Sequence, residues 1–172
     1  PAAEVVRGGL LGCEATENYR LSRGTPWGAS YRWPVMFFIA VAFWNLVGAG
    51  LFGFLINPPI SLYYVQGLNL TANHGHSALF GVYGMLGIGL MLYCLRSLKP
   101  DVVWREGLLR SGFWALNIGL GLMTVLTLLP MGVLQLEANI EHGYWFARSA
   151  EVMDRTIIHV LVWLRTPAHI IF

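Results

Sequence analysis

Charged residues are scarce in this sequence and unevenly spread. Only 12% of its 172 residues are Asp, Glu, Lys or Arg, against about a quarter in soluble domains. No charged residue lies between Trp33 and Leu95, a run of 63 residues, or between Ser111 and Leu136, a run of 26. These runs exclude an ordinary soluble domain and a disordered segment. The net charge of +2 gives no strongly basic surface, so the chain is not expected to bind nucleic acid.

Cysteine is also scarce. Cys13 and Cys94 are the two in the chain, and they form neither a disulfide framework nor a metal-binding motif. We expect both to be buried as small apolar side chains.

The charge-free runs are long enough for membrane helices, which need about 20 mostly apolar residues each. The sequence therefore predicts an all-α, polytopic helical bundle in a lipid bilayer, with residues 1–172 forming a single membrane region. The expected spans are about 34–56, 71–95 and 111–135, with a partial helix at 1–20 and a truncated one at 166–172, beginning after Pro167. Because the chain begins at Pro1 and ends in an apolar stretch, we expect an internal or truncated piece of a larger membrane protein, which packs against the remaining helices of that parent.

The basic residues predict the orientation of these spans. Arginine and lysine are concentrated before the first span and in the loop 97–110, whereas the loop 58–70 has none. Basic loops stay in the cytoplasm, so we expect 97–110 inside and both 58–70 and 136–160 outside. This distribution suits a multi-pass membrane protein.

The pair His74 and His76 is the strongest chemical signal. Ionisable residues at membrane depth are costly and are functional candidates. Residues two apart on a helix lie about 200° apart around its axis, so the two imidazoles cannot chelate one metal ion. Each can instead bind a separate centre, as haem irons take an axial imidazole. Interfacial histidines at a helix start remain the alternative.

Two other features have a weaker signal. Glycines along the first two spans permit close approach of helices or of a flat macrocycle. Glu4 is a candidate for proton relay, with a position in a loop or at the terminus as the alternative. Glu137, Glu141 and His142 are candidates to hold a cation, although a solvated loop face explains these three residues better. The glycines are Gly48, Gly50, Gly53, Gly81, Gly84, Gly87 and Gly89.

Several motifs together resemble the large catalytic subunit of bacterial nitric oxide reductase, in the haem–copper oxidase subunit I superfamily. The similarity is closer to the quinol-dependent, single-chain type. It covers about residues 4–172 and is most specific over 31–151. The motifs are Tyr-Arg-Trp-Pro at 31–34, the segments 43–50 and 53–57, His-Gly-His-Ser-Ala-Leu-Phe-Gly from 74, Glu-His-Gly-Tyr-Trp at 141–145, 147–151, and Trp-Leu-Arg at 163–165.

The resemblance implies a respiratory enzyme of the bacterial cytoplasmic membrane, of which this chain is the C-terminal part. The enzyme would reduce two nitric oxide molecules, with two electrons from quinol and two protons, to nitrous oxide and water. It implies a high-spin haem b on His74, a low-spin haem b on His76, and a non-haem iron whose ligands lie upstream of this chain. It places Glu4 near that iron in proton delivery, although Arg7 stands where the family has proline. The fragment alone is then expected to be inactive.

Two other interpretations stay open. A subunit I relative that reduces oxygen shares the His-x-His motif, and a redox-inactive membrane scaffold needs none of these ligands. The residues that follow the histidines favour the nitric oxide branch.

Overall fold

The structure, a computed structural model, describes residues 30–172, and within them all the regular elements are helices. Three of these helices are long and apolar enough to cross a membrane. The predicted helix at 1–20, Glu4 and Cys13 lie outside the described residues. In chain order the helices are α1 (Arg32–Ile56), α2 (Pro59–Val65), α3 (Asn69–Leu98), α4 (Glu106–His142), α5 (Ala150–Met153) and α6 (Thr156–Ile171).

Helices α1 and α3 run antiparallel and approach closely at glycines. A methyl group added to any of three glycines would come within 2.8 Å of the facing helix, so these glycines let the two backbones approach. The contacts are Gly48 on Ser77, Gly81 on Trp44, and Gly89 on Phe38. Close packing therefore explains these three glycines, whereas at Gly87 the added methyl group has no neighbour within 4 Å from any other part of residues 30–172.

Helix α4 packs against α3 on one side and α6 on another. Gly132 of α4 contacts Leu70 at the start of α3, and Gly119 contacts Phe172 next to the end of α6. The main core joins aromatic side chains of α1 and α4 to Met85 of α3, which is fully buried. Many apolar side chains still face outward, such as Phe54, which is 74% exposed. Lipid or further helices are the environment that such a surface requires.

Each long helix contains one π-helical segment near its middle. These segments are Asn45–Leu51 in α1, Leu79–Gly84 in α3 and Met123–Leu128 in α4. A π turn replaces the i to i−4 bond by an i to i−5 bond and is frequent at functional sites. The segments of α1 and α4 both pack against Asn69–Ala78, the part of α3 that carries His74 and His76.

The ends of the helices differ from the prediction in three places. The expected loop 58–70 contains α2, because Pro59 stands at the first helical position, where its missing N–H costs nothing. Helix α4 continues to His142 and ends at Gly143, whose φ of 92° suits glycine. The prediction that the last helix begins after Pro167 is wrong, since α6 begins at Thr156 and contains Pro167.

Two side chains near the end of α3 also differ from expectation. Cys94 is exposed rather than buried. Arg96, one residue beyond the predicted span 71–95, lies in the last turn of α3 and is 8% exposed. Its guanidinium lies 3.9 Å from the ring centre of Trp104 and donates 2.9 Å to the carbonyl of Val102. The loop after α3 is therefore folded back on the helix end.

Candidate functional site

His74 is half-buried on α3, and its imidazole bonds to α1. The Nδ1 atom lies 2.8 Å from the carbonyl oxygen of Gly48. A carbonyl oxygen only accepts hydrogen bonds, so Nδ1 must be the protonated nitrogen. In the neutral ring Nε2 then keeps its lone pair, which is the form that binds a metal.

The π segment of α1 makes the Gly48 carbonyl available. In a regular α-helix the N–H of Phe52 would bond to Gly48, four residues earlier. Here that N–H bonds to the carbonyl of Val47 instead, which leaves Gly48 free to accept from His74. Gly53 lies beside the ring as well, and an added methyl group there would come 3.1 Å from Cε1 of His74.

His76 lies two residues later on the exposed surface of the described bundle. Its Nδ1 atom lies 2.8 Å from the carbonyl oxygen of Ala72, one turn earlier in the same helix. The same donor argument applies, so Nδ1 carries the proton and Nε2 has the free lone pair.

The two imidazoles therefore have the same chemical form and different surroundings. One is held against α1 and the other faces away from the bundle, so each offers a single nitrogen to a separate centre. A hydrogen bond from Nδ1 to a backbone carbonyl is the usual support of a metal-bound histidine. Both side chains fit axial ligation of a haem iron. Residues 30–172 contain no cluster of three His, Cys, Asp or Glu that could hold a metal ion by itself.

The acidic candidates are not brought into this site. Glu137, Glu141 and His142 are exposed at the end of α4. Glu141 and His142 lie 3.7 Å apart with 60% and 55% of their side chains exposed, which favours the solvated face over a cation site.

Sequence reasoning missed a set of buried or half-buried, uncharged polar residues on α3 and α4. Their signal was present as asparagine, glutamine and threonine at about one-turn intervals inside otherwise apolar spans. We call them the polar seam: Asn69, Asn73 and Ser77 of α3, with Thr124, Thr127, Gln135 and Asn139 of α4.

Comparisons with known proteins identify the family of this chain. The sequence profile of the family described as "Cytochrome C and Quinol oxidase polypeptide I" matches residues 21–171. A nitric oxide reductase subunit of Stutzerimonas stutzeri is 34% identical over 101 residues, which cover 52% of this chain and 20% of that relative. The matched region is thus about a fifth of that curated relative. The chain belongs to the cytochrome c and quinol oxidase polypeptide I family, a family of multi-pass membrane oxidoreductases that bind haem.

Proposed function

We propose that this chain is part of the catalytic subunit of a respiratory nitric oxide reductase. In this proposal the enzyme takes electrons from quinol in a bacterial cytoplasmic membrane and reduces nitric oxide to nitrous oxide. Two kinds of observation support it: the sequence, through the motifs around 31–151 and the similarity to a nitric oxide reductase of Stutzerimonas stutzeri over 101 residues, and the geometry of the histidine pair. The histidine pair supports haem binding, whereas the choice of nitric oxide over oxygen rests on the sequence similarity.

The histidine pair supports a two-haem arrangement on one helix. His74 and His76 both donate from Nδ1 to backbone carbonyls, and both therefore present Nε2 as a ligand. Following the family, we assign His74 to a high-spin haem b and His76 to a low-spin haem b. The proposal places the ligands of the non-haem iron, and any further protein ligand of the low-spin haem, in other helices of the parent protein.

The chain's own residues have defined tasks in this proposal. When bound, haem would supply reversible one-electron transfer and a place for a diatomic ligand. The Gly48 carbonyl accepts a hydrogen bond from Nδ1–H of His74. This bond orients the imidazole and increases the basicity of Nε2. Gly53 keeps the space beside the ring clear. Glu4 is proposed for proton delivery on the resemblance alone.

Separate replacement of the two histidines tests this assignment in the haem-loaded enzyme. His74→Ala should abolish carbon monoxide binding to the reduced enzyme while the low-spin haem spectrum remains. His76→Ala should lower the low-spin signal and stop electron entry from quinol. Both spectra are normalised to haem content, because loss of a ligand also weakens assembly.

His159→Ala is the matched control, since His159 is an exposed histidine of α6 with its imidazole 3.9 Å from Asp154. It should leave both spectra and nitric oxide consumption unchanged. Swapped effects of the two site variants would reverse the haem assignment. Rapid oxygen consumption with no nitric oxide turnover would instead identify an oxygen-reducing relative and refute the proposal.

A further inference from the structure

A polar cleft lies at the end of the bundle where α3 begins and α4 ends. We call it the tyrosine cleft; its volume is about 550 Å³. It is lined by Tyr63, Tyr64, Gln66, Asn139, Gly143 and Tyr144. The side-chain amide of Asn139 donates to the backbone carbonyl of Tyr64, so α2 and the end of α4 are joined at the cleft. Tyrosine is enriched at membrane–water interfaces, because its ring is apolar and its tip is polar. The cleft therefore suits the level of lipid headgroups.

Arg148 gives the tyrosine cleft a positive charge at its edge. Its guanidinium donates 2.6 Å to the hydroxyl oxygen of Tyr144 and lies 5.4 Å from the centre of that ring. Within the described part of the chain Arg148 forms no ion pair with a carboxylate, since both ion pairs found there involve histidine. The oxygen of Tyr144 already accepts this bond, so its own O–H remains to donate to a ligand.

The turn after α2 packs directly on the pair formed by Tyr144 and Arg148. Gly67 has a φ of 72°, which favours glycine. A methyl group added to Gly67 would come 2.9 Å from the Tyr144 hydroxyl and 3.2 Å from Nη1 of Arg148. Only a residue without a side chain lets the backbone approach so closely, and this contact keeps both donors at the edge of the cleft.

A second cavity, which is apolar, meets the tyrosine cleft at Tyr64. We call it the apolar groove; it has a volume of about 390 Å³ and lies among the end of α1, α2, the start of α3, and α4. On α4 it extends from Leu129 to Ile140, which is next to Asn139 of the cleft. That part of a helix is about 16 Å long, close to half of a hydrocarbon core about 30 Å thick. The apolar groove therefore matches the hydrocarbon depth of one lipid leaflet.

We propose that the tyrosine cleft and the apolar groove together bind one phospholipid molecule. Its phosphate group accepts hydrogen bonds from the Tyr144 hydroxyl and the Arg148 guanidinium, and one acyl chain lies along the apolar groove. A phosphate diester is charged and only accepts hydrogen bonds, which suits an edge that offers donors and a cation.

The chemistry of the edge favours a phospholipid over a quinol. A quinol also has an apolar tail, but its ring is uncharged and its two O–H groups are donors. Arg148 has only donors, so it gives such a ring no charge-assisted bond. The proposal concerns a lipid at the surface of a membrane protein and does not depend on which gas the enzyme reduces.

A matched pair of arginines tests the headgroup part of the site. The haem-loaded enzyme is stripped of lipid in dodecyl maltoside and titrated with dioleoylphosphatidylglycerol, which should raise its melting temperature, since a ligand of the folded state stabilises it. Arg148→Gln should raise the lipid concentration at half of the effect by about tenfold or more, because charge-assisted hydrogen bonds are lost. Arg155→Gln removes the same charge from an exposed residue that lines neither cavity, and it should titrate like the unmodified enzyme.

A matched pair of valines tests the acyl-chain part. Val133 lines the apolar groove and is 50% exposed, whereas Val162 of α6 lies outside both cavities and is 45% exposed. Val133→Trp places a ring in the groove and should weaken the lipid effect, whereas Val162→Trp should not. Each variant is compared with the same variant without lipid, so a change in basal stability does not affect the result.

Inorganic phosphate separates a lipid site from a simple anion site. At the same concentrations it should leave the melting temperature unchanged, because it cannot occupy the apolar groove. Equal stabilisation by inorganic phosphate, or equal titrations of the site variants and their controls, overturns the proposal. Co-purification of a quinone in place of a phospholipid, unaffected by Arg148→Gln, overturns it as well. No measurement uses turnover, so these results and the proposed function can fail separately.

Discussion

Replacement of Gly48 by alanine should disturb the fold and the histidine site together. An added methyl group would lie 2.7 Å from the backbone carbon of Ser77, closer than real contacts allow, so α1 and α3 must separate. Overpacking of this kind costs about 1–3 kcal/mol. The separation also breaks the 2.8 Å hydrogen bond from His74 to the Gly48 carbonyl, at a further cost of about 0.5–1.5 kcal/mol.

The control for this change is Gly87→Ala on α3. Apart from the backbone of α3 itself, no atom of residues 30–172 lies within 4 Å of the methyl group added there, so the gain in helix propensity, up to about 1 kcal/mol, should hold the stability or raise it. Thermal unfolding and the carbon monoxide difference spectrum are measured on both variants of the haem-loaded enzyme. Gly48→Ala should unfold at a lower temperature and show an altered high-spin haem spectrum. If it matches Gly87→Ala in both measurements, the argument for a close helix contact that positions His74 is refuted.

Two further predictions concern the orientation and the polar seam. In a cysteine-free background, Lys99→Cys should not react with a membrane-impermeant thiol reagent applied to intact cells, because basic loops stay in the cytoplasm. Trp145→Cys, at an 81% exposed position in the predicted outer stretch, should react. Labelling at position 99 would reverse the predicted orientation. Gln135→Leu should lower the free energy of unfolding by about 1–3 kcal/mol, because two donors of Asn69 lose their acceptor. Glu137→Gln, on the exposed side of the same helix, should leave the unfolding temperature unchanged, and equal effects of the two variants would count against the seam.

The fold class was predictable because the bilayer imposes simple rules. A span without charge must satisfy its backbone internally, so a long apolar run in this setting is a helix. The charge-free runs 33–95 and 111–136 contain most of α1, α3 and α4. The boundaries were less predictable, because polar residues extend a helix once its end packs on a neighbour. Residues 137–142 continue α4 for this reason, with Ala138 and Asn139 buried.

Other features depend on contacts between distant residues. Nothing local in Asn45–Leu51 or Met123–Leu128 identifies a π turn, because its formation depends on how neighbouring helices pack. Helix α6 contains Pro167 in spite of the local preference against proline in a helix interior. Its packing on Gly119 through Ala168 and Phe172 supplies a tertiary contribution that the sequence pattern does not reveal.

The two histidines differ in how much of their orientation the sequence could predict. A spacing of two residues was enough to predict that their imidazoles face apart. The hydrogen bond of His76 is also local, because Ala72 lies one turn earlier in the same helix. The bond of His74 is not local, since its acceptor is 26 residues away on α1 and is free only because of a π turn. The orientation of His76 therefore depends on α3 alone, whereas the orientation of His74 depends on the distance between α1 and α3. A change that separates α1 from α3 should thus affect the haem proposed at His74 more strongly than the haem proposed at His76.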